Sequence, residues 1–264
     1  MDPRLRALDA LRLAEPAAKA EAARALHADC RAGAAIDTGA VIAPPPGIPG
    51  RPPRPLLVDP ARLPRRSAFT RDGRAALLHA VAHIEFNALN LALNAVWRFA
   101  GLPETFYRDW ACVAAEEALH FCLVRDHLRT LGHAYGDFDA HDGLWAMAER
   151  TQHDVLARMA LVPRTLEARG LDVTPPMQQQ LARAGDEAAV RILDVILRDE
   201  IGHVAIGNRW YRWACEARGL EALAHAERLA AEYKAPRARA PFNLEARRAA
   251  GFDEAELGRL QQRR

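Results

Sequence analysis

No CxxC pair occurs in this chain, and its four cysteines (Cys30, Cys112, Cys122 and Cys215) are too scattered for the thiolate clusters that zinc or iron–sulfur centres prefer. They read as reduced thiols acting as small buried hydrophobes. No uninterrupted apolar run reaches the roughly 18–20 residues of a membrane span, because charges and histidines break every hydrophobic stretch. Met1-Asp2-Pro3-Arg4 leads into an Arg/Ala/Leu/Glu pattern instead of a signal-type apolar block, so a cytoplasmic location is expected. Charge of one sign is also lacking: the formal net charge is +2, which demands neither nucleic acid nor membrane, and the basic C-terminal end reads as solvated surface. Alternating, β-branched runs are missing throughout, which excludes a sheet-based core.

What remains is helical pattern interrupted once. Residues 1–40 are rich in Ala, Leu, Arg and Glu, with Leu5, Leu8 and Leu11 at helical spacing, and predict an N-terminal helical segment. Nine of the 17 prolines then fall between Pro44 and Pro64, so residues 41–69 form an extended strap. Ile48, Leu56, Leu57 and Val58 are expected to hold that strap against the protein. Residues 70–220 carry apolar residues at three- and four-residue spacing, predicting helices near 71–100, 104–131, 142–169 and 178–218. The expected stops are Gly101-Leu102-Pro103, Gly132, Gly170 with Pro175-Pro176, and Gly219. Four long helices with short connections describe an all-α four-helix bundle, followed by a C-terminal helical tail over 221–264.

Two copies of one motif lie in that bundle: Glu117-Ala118-Leu119-His120 and Glu200-Ile201-Gly202-His203. Residues three apart share a helix face, so each copy aims a carboxylate and an imidazole the same way. A carboxylate-bridged pair of metal ions takes one Glu-x-x-His from each of two helices and one Glu from each of the other two. Glu85 supplies the third carboxylate. It lies in an apolar stripe of Val81, Ala82, Ala88 and Leu89, where a buried charge wants a cation. It stands 16 residues before Gly101, and Glu117 stands 14 after Pro103. At about 1.5 Å per residue the two are level across the hairpin.

The fourth carboxylate is less direct. Internal repetition favours Glu167, because Glu85 precedes Glu117 by 32 residues and Glu167 precedes Glu200 by 33. Straight-helix arithmetic favours Glu149, which lies 21 residues before Gly170 where Glu167 lies only three. Pro163 and Gly185 disturb that arithmetic. Glu167 ranks first, Glu149 second and His153 third. The other histidines weigh differently: His79, His127, His133, His141 and His225 are expected at the surface or at caps, and His83 in ordinary packing. Glu116 and Asp199 either steady a ligand histidine or face solvent. Trp210, Tyr211 and Trp213 are read as core or interface, and Phe86 and Phe121 as ordinary packing first and the lining of an apolar substrate pocket second.

Met159-Ala160-Leu161-Val162-Pro163-Arg164 running into Leu166-Glu167-Ala168-Arg169-Gly170-Leu171-Asp172-Val173-Thr174-Pro175 resembles the bacterial domain of unknown function 455 family. So does Asp199-Glu200-Ile201-Gly202-His203-Val204-Ala205-Ile206-Gly207, and the likeness extends from the strap to Leu260. The resemblance implies a ferritin-like bundle. More distantly, the order Glu, ExxH, Glu, ExxH is similar to di-iron hydroxylases of quinone precursors or modified tRNA. It implies Glu85, Glu117, His120, Glu167, Glu200 and His203 as ligands of two iron ions, with manganese the alternative. The expected activity is an O₂-using oxidoreductase that hydroxylates or desaturates a small organic substrate, drawing on an electron donor, as a monomer or homodimer. A ferroxidase, storage or peroxide-handling protein is the reading from another class, and a structural bundle with a vestigial site is the third. Nucleic acid is not expected as a partner, modified tRNA being the one case the resemblance keeps open.

Overall fold

The structure, a computed structural model, describes residues 1–64 and 67–262. Arg65 and Arg66 of the strap, and Arg263 and Arg264 of the basic C-terminal end, lie outside the described residues. It is all-helical, with no β-strand among the described residues. The chain divides into two compact units, Met1–Trp145 and Ala146–Arg264.

In the first unit two short helices lead. α1 (Pro3–Arg12) starts at Asp2, whose carboxylate accepts from Arg4 N at 2.7 Å, and Pro3 fills the first-turn position where no donor is needed. α2 (Pro16–Arg31) repeats the device with Glu15 and Pro16. α3 (Arg71–Arg98) and α4 (Glu104–Thr130) form a long antiparallel hairpin turned at Gly101, whose φ of +76° suits glycine. α3 is long and apolar enough to cross a membrane by length and composition, unlike the expectation from unbroken runs. Yet 78% of its apolar window is buried inside the protein, as befits a core helix. α1 packs on α3, and α2 on α4.

The strap is held only partly as expected. Ile48 and Val58 are half-buried and Pro49 and Pro55 buried, whereas Leu56 and Leu57 are exposed. Backbone adds to the hold: Val58 N donates to Ala140 O at 2.8 Å and Ala140 N to Leu56 O at 3.0 Å, a parallel bridge. Gly50 N also bonds Leu11 O at 2.8 Å, and the Arg51 guanidinium pairs with Asp142 at 2.8 Å.

Lys19 of α2 is fully buried under the strap. Its ammonium donates to Gly50 O at 2.7 Å and Asn90 Oδ1 at 2.5 Å and stands 4.9 Å from the Phe86 ring centre. Burial, then the charge of Arg51, lowers its pKa from 10.5 to about 7. Between those values the unfolded chain binds the proton and the folded chain does not, so this residue's contribution to stability rises with pH across that window. Urea denaturation should therefore show wild type gaining on Lys19→Met from pH 7 to pH 9.5. A gap that stays constant with pH would contradict the assignment.

The second unit departs from the expected helix plan. α5 (Gly143–Arg150), within which the unit boundary falls, ends early; the chain then turns and restarts at Asp154, which caps α6 (Val155–Leu161). The single helix expected over 142–169 is thus two pieces. At Pro163 the missing N–H breaks the α ladder, and Val162–Glu167 winds as a π-turn in which Thr165 Oγ1 donates to Ala160 O at 2.7 Å. The helix then runs straight on as α7 (Ala168–Arg183), through Gly170 and through Pro175 and Pro176, all expected to stop it. Thr174 Oγ1 donates to Gly170 O at 2.8 Å along the way. The true reversal is Gly185, at φ +76°, followed by α8 (Glu187–Glu216).

α7 and α8 pack as an antiparallel pair. Gly207 is needed where α8 meets the π-turn, since a Cβ there would stand 2.6 Å from Pro163 Cβ. The tail folds as α9 (Ala222–Glu232), α10 (Leu244–Ala249) and α11 (Glu254–Gln262). Ala246 and Ala250 pack with Ala168, Leu171 and Val204 in a small apolar core. Trp210 and Tyr211 are core residues, whereas Trp213 stays partly exposed.

Candidate metal centre

Helix geometry brings the first unit's three candidates together. Glu85 of α3 meets Glu117 and His120 of α4 because the Gly101 turn sets the two helices antiparallel with those positions level. His120 Nδ1 lies 3.3 Å from Glu117 Oε2 and 3.3 Å from Glu85 Oε2. One donor atom from each residue lies within 4.8 Å of the others, and all three residues are buried. Burial, then the charge of Glu117, pushes the Glu85 carboxyl well above the usual carboxylate range. Burial opposes a charged His120, but hydrogen bonds to Glu117 and Glu85 outweigh it and raise its pKa. A site that draws protons to this extent demands positive charge, which a divalent cation supplies with better geometry than a proton does. Two carboxylates and an imidazole are donors that suit iron or manganese. Glu85, Glu117 and His120 would together hold one cation, at about 2.0–2.2 Å per contact.

The second ExxH copy has the same internal geometry. His203 Nδ1 lies 3.2 Å from Glu200 Oε2, with His203 buried and Glu200 half-buried on α8. Register locates Glu167. A Cβ on Gly170 would touch Glu200 Cγ at 3.7 Å, and Pro163 meets Gly207, so descending α7 and ascending α8 put Glu167 level with His203. Measured from Gly185, Glu167 stands 18 residues before the turn and Glu200 15 after it. The straight-helix objection to Glu167 therefore used the wrong turn. Glu167 is half-buried; Glu149 and His153 are exposed, His153 Nε2 facing the Tyr233 hydroxyl at 3.3 Å. Metal analysis should find Glu149→Ala unchanged and Glu167→Ala depleted of an ion, and the reverse result would restore Glu149.

Around the first cluster one expectation is corrected. His79, expected at the surface, is fully buried: its Nε2 accepts from Gly136 N at 2.9 Å, and burial lowers its pKa to about 4. The cause is the loop after α4, which covers this part of α3: the Tyr135 and Phe138 rings stand 5.3 and 5.4 Å from the His79 ring. His83 is packed as expected, and burial lowers its pKa to about 4. Its Nδ1 faces Tyr135 Oη at 2.9 Å, and its Nε2 faces both His141 O at 3.1 Å and Asn87 Nδ2 at 2.9 Å. Tyr135 lies in the loop after α4, where no sequence motif marks it; it packs 5.6 Å from Phe86 and 5.1 Å from Phe121. Phe86 and Phe121 themselves are core, 5.2 Å apart. Glu116 receives the Cys112 thiol at 3.8 Å, and Asp199 pairs with Arg198 at 2.8 Å. All four cysteines are free, and Cys112 and Cys122 are only half-buried.

Residues 12–258 match the family described as "Protein of unknown function (DUF455)". An "Uncharacterized protein" of Haemophilus influenzae (strain ATCC 51907 / DSM 11121 / KW20 / Rd) is 52% identical over 223 residues, covering 82% of this chain and 77% of that protein. No solved structure matches.

Proposed function

The chain belongs to the DUF455 family, and we propose that it is a two-metal carboxylate oxidoreductase of ferritin-like fold, using iron and O₂ to hydroxylate or desaturate a small organic substrate. The buried Glu85–Glu117–His120 cluster carries the reading. A buried group of this kind costs stability unless something compensates the charge, so its retention in a packed hairpin needs a reason, and metal binding provides one. Repetition supports it. Each unit contains an antiparallel hairpin with a Glu on the incoming helix and a Glu-x-x-His on the outgoing one. One ion is assigned to Glu85, Glu117 and His120, and the second to Glu200 and His203 with Glu167.

Bound iron would supply O₂ activation, chemistry no side chain provides. The chain's own contribution is to hold the donors. Glu117 and Glu200 each sit one turn from their histidine, which fixes the approach of both donors before any ion arrives. Phe86 and Phe121, next in sequence to Glu85 and His120, are buried with their rings 5.2 Å apart.

Metal analysis of protein purified without oxygen, followed by O₂ addition, tests the reading. Two irons per chain and O₂ consumption by a monomer or dimer, with no mineral core, are the expected results. A large hollow oligomer that mineralises iron without oxidising any organic compound would transfer the protein to iron storage. Manganese in place of iron would keep the site and change the metal.

A further inference from the structure

Within the second unit a cavity of about 520 Å³ opens between α9, the tail and the π-turn. That is the size of a small-molecule site. It exists because α9 turns small residues inward: Ala226 and Ala230 share a helix face and leave room that a larger side chain would fill. Phe252, Leu257 and Leu260 supply apolar wall opposite.

Charge around the cavity does not balance. Four arginines and two glutamates line it. Arg164, at the floor, is buried and paired with buried Glu256, and it also donates to Asn208 Oδ1 at 2.9 Å. Arg247 is occupied by Asp172, to which it donates at 3.0 and 2.7 Å. Arg237 and Arg259 are left over: both are exposed, and among the described residues neither has a hydrogen-bond or ion-pair partner. Glu227 is the single acid remaining against them and has interactions of its own. A cavity with a partly apolar wall and two uncommitted guanidinium groups among its lining is complementary to a molecule with an apolar body and an oxyanion head.

We infer that this cavity binds a small amphipathic oxyanion, a carboxylate or phosphate monoester on an alkyl or aromatic body, with Arg237 and Arg259 holding the head. The floor pair Arg164–Glu256 is internally neutral and meets the body, with Phe252 beside it; the Arg164 guanidinium stands 5.3 Å from that ring centre. Nothing in this assignment requires metal at Glu200 and His203, so it stands or falls apart from the oxidoreductase reading.

Calorimetric titration of the full-length protein with decanoate, decyl phosphate and decanol, at low ionic strength, tests it. At least one of the two anions should bind, at least about tenfold more tightly than decanol, since an oxyanion gains charge-assisted hydrogen bonds that an alcohol lacks. The double variant Arg237→Ala, Arg259→Ala should lose that advantage while binding decanol as before. Both residues are exposed, so the fold is not at stake. Ala230→Trp, checked for native circular dichroism, should weaken binding of all three by occupying part of the cavity. Preference for one anion over the other identifies the head group within the proposal. No binding by either anion, equal binding of anion and alcohol, or undiminished binding in folded Ala230→Trp would overturn it.

Discussion

Replacing Glu117 and Glu200 together with alanine is expected to strip nearly all metal from the protein while leaving its helix content intact. Each glutamate is one turn from its histidine, and the two pairs have matching separations of 3.3 and 3.2 Å, so each change removes the carboxylate of one ExxH pair. The fold has reason to survive. In the first cluster Glu117 is the charge that raises the Glu85 pKa after burial, so its removal relieves repulsion as well as losing a hydrogen bond to His120. Metal content by mass spectrometry and far-ultraviolet circular dichroism measure the two sides of the result. Each single variant should lose part of the metal and the double variant nearly all of it. Full metal content in a folded double variant would end the metal assignment.

The largest stability effect is expected away from the metal centre, at Asp172. Its side chain is wholly buried in α7, where it accepts from Arg247 Nε at 3.0 Å, from Arg247 Nη2 at 2.7 Å, from Asn243 N at 3.0 Å and from Arg169 at 3.2 Å. This one carboxylate ties the start of α10 to α7, and Arg247 is itself buried. Asp172→Ala leaves a guanidinium in the interior without its counter-charge, a change that costs about 3–5 kcal/mol. Urea denaturation should record that loss. Adding Arg247→Met to Asp172→Ala should recover part of it, because the stranded charge goes too. A loss below about 1 kcal/mol would mean that water reaches Arg247 once Asp172 is gone.

The ExxH pairs were readable in advance because an i, i+3 contact is made within one helix and needs nothing from the rest of the chain. Glu85 was readable for a nearly local reason: the Gly101-Leu102-Pro103 stop is a real turn, so counting along two helices gives their true register. The same count fails in the second hairpin. It took Gly170 and Pro175-Pro176 as a turn, whereas Gly170 is the place where α7 passes close to Glu200 and the prolines are carried inside the helix. A glycine marks either a reversal or a close approach, and the residues beside it do not distinguish the two. Repetition of the 32- and 33-residue spacings pointed to Glu167 because it compares one hairpin with another and skips the question of where the helix ends.

Residue spacing by itself settled the helical class, the position of the proline strap and the local geometry of both Glu-x-x-His pairs, since each depends on free energies confined to a few neighbouring residues. Tertiary structure alone decided which glycine reverses the chain, that Pro163 opens a π-turn without ending the helix, and that His79 and Lys19 are buried. Those outcomes turn on packing against residues far along the chain, where the free energy of apolar burial exceeds the local preferences of glycine, proline and charge.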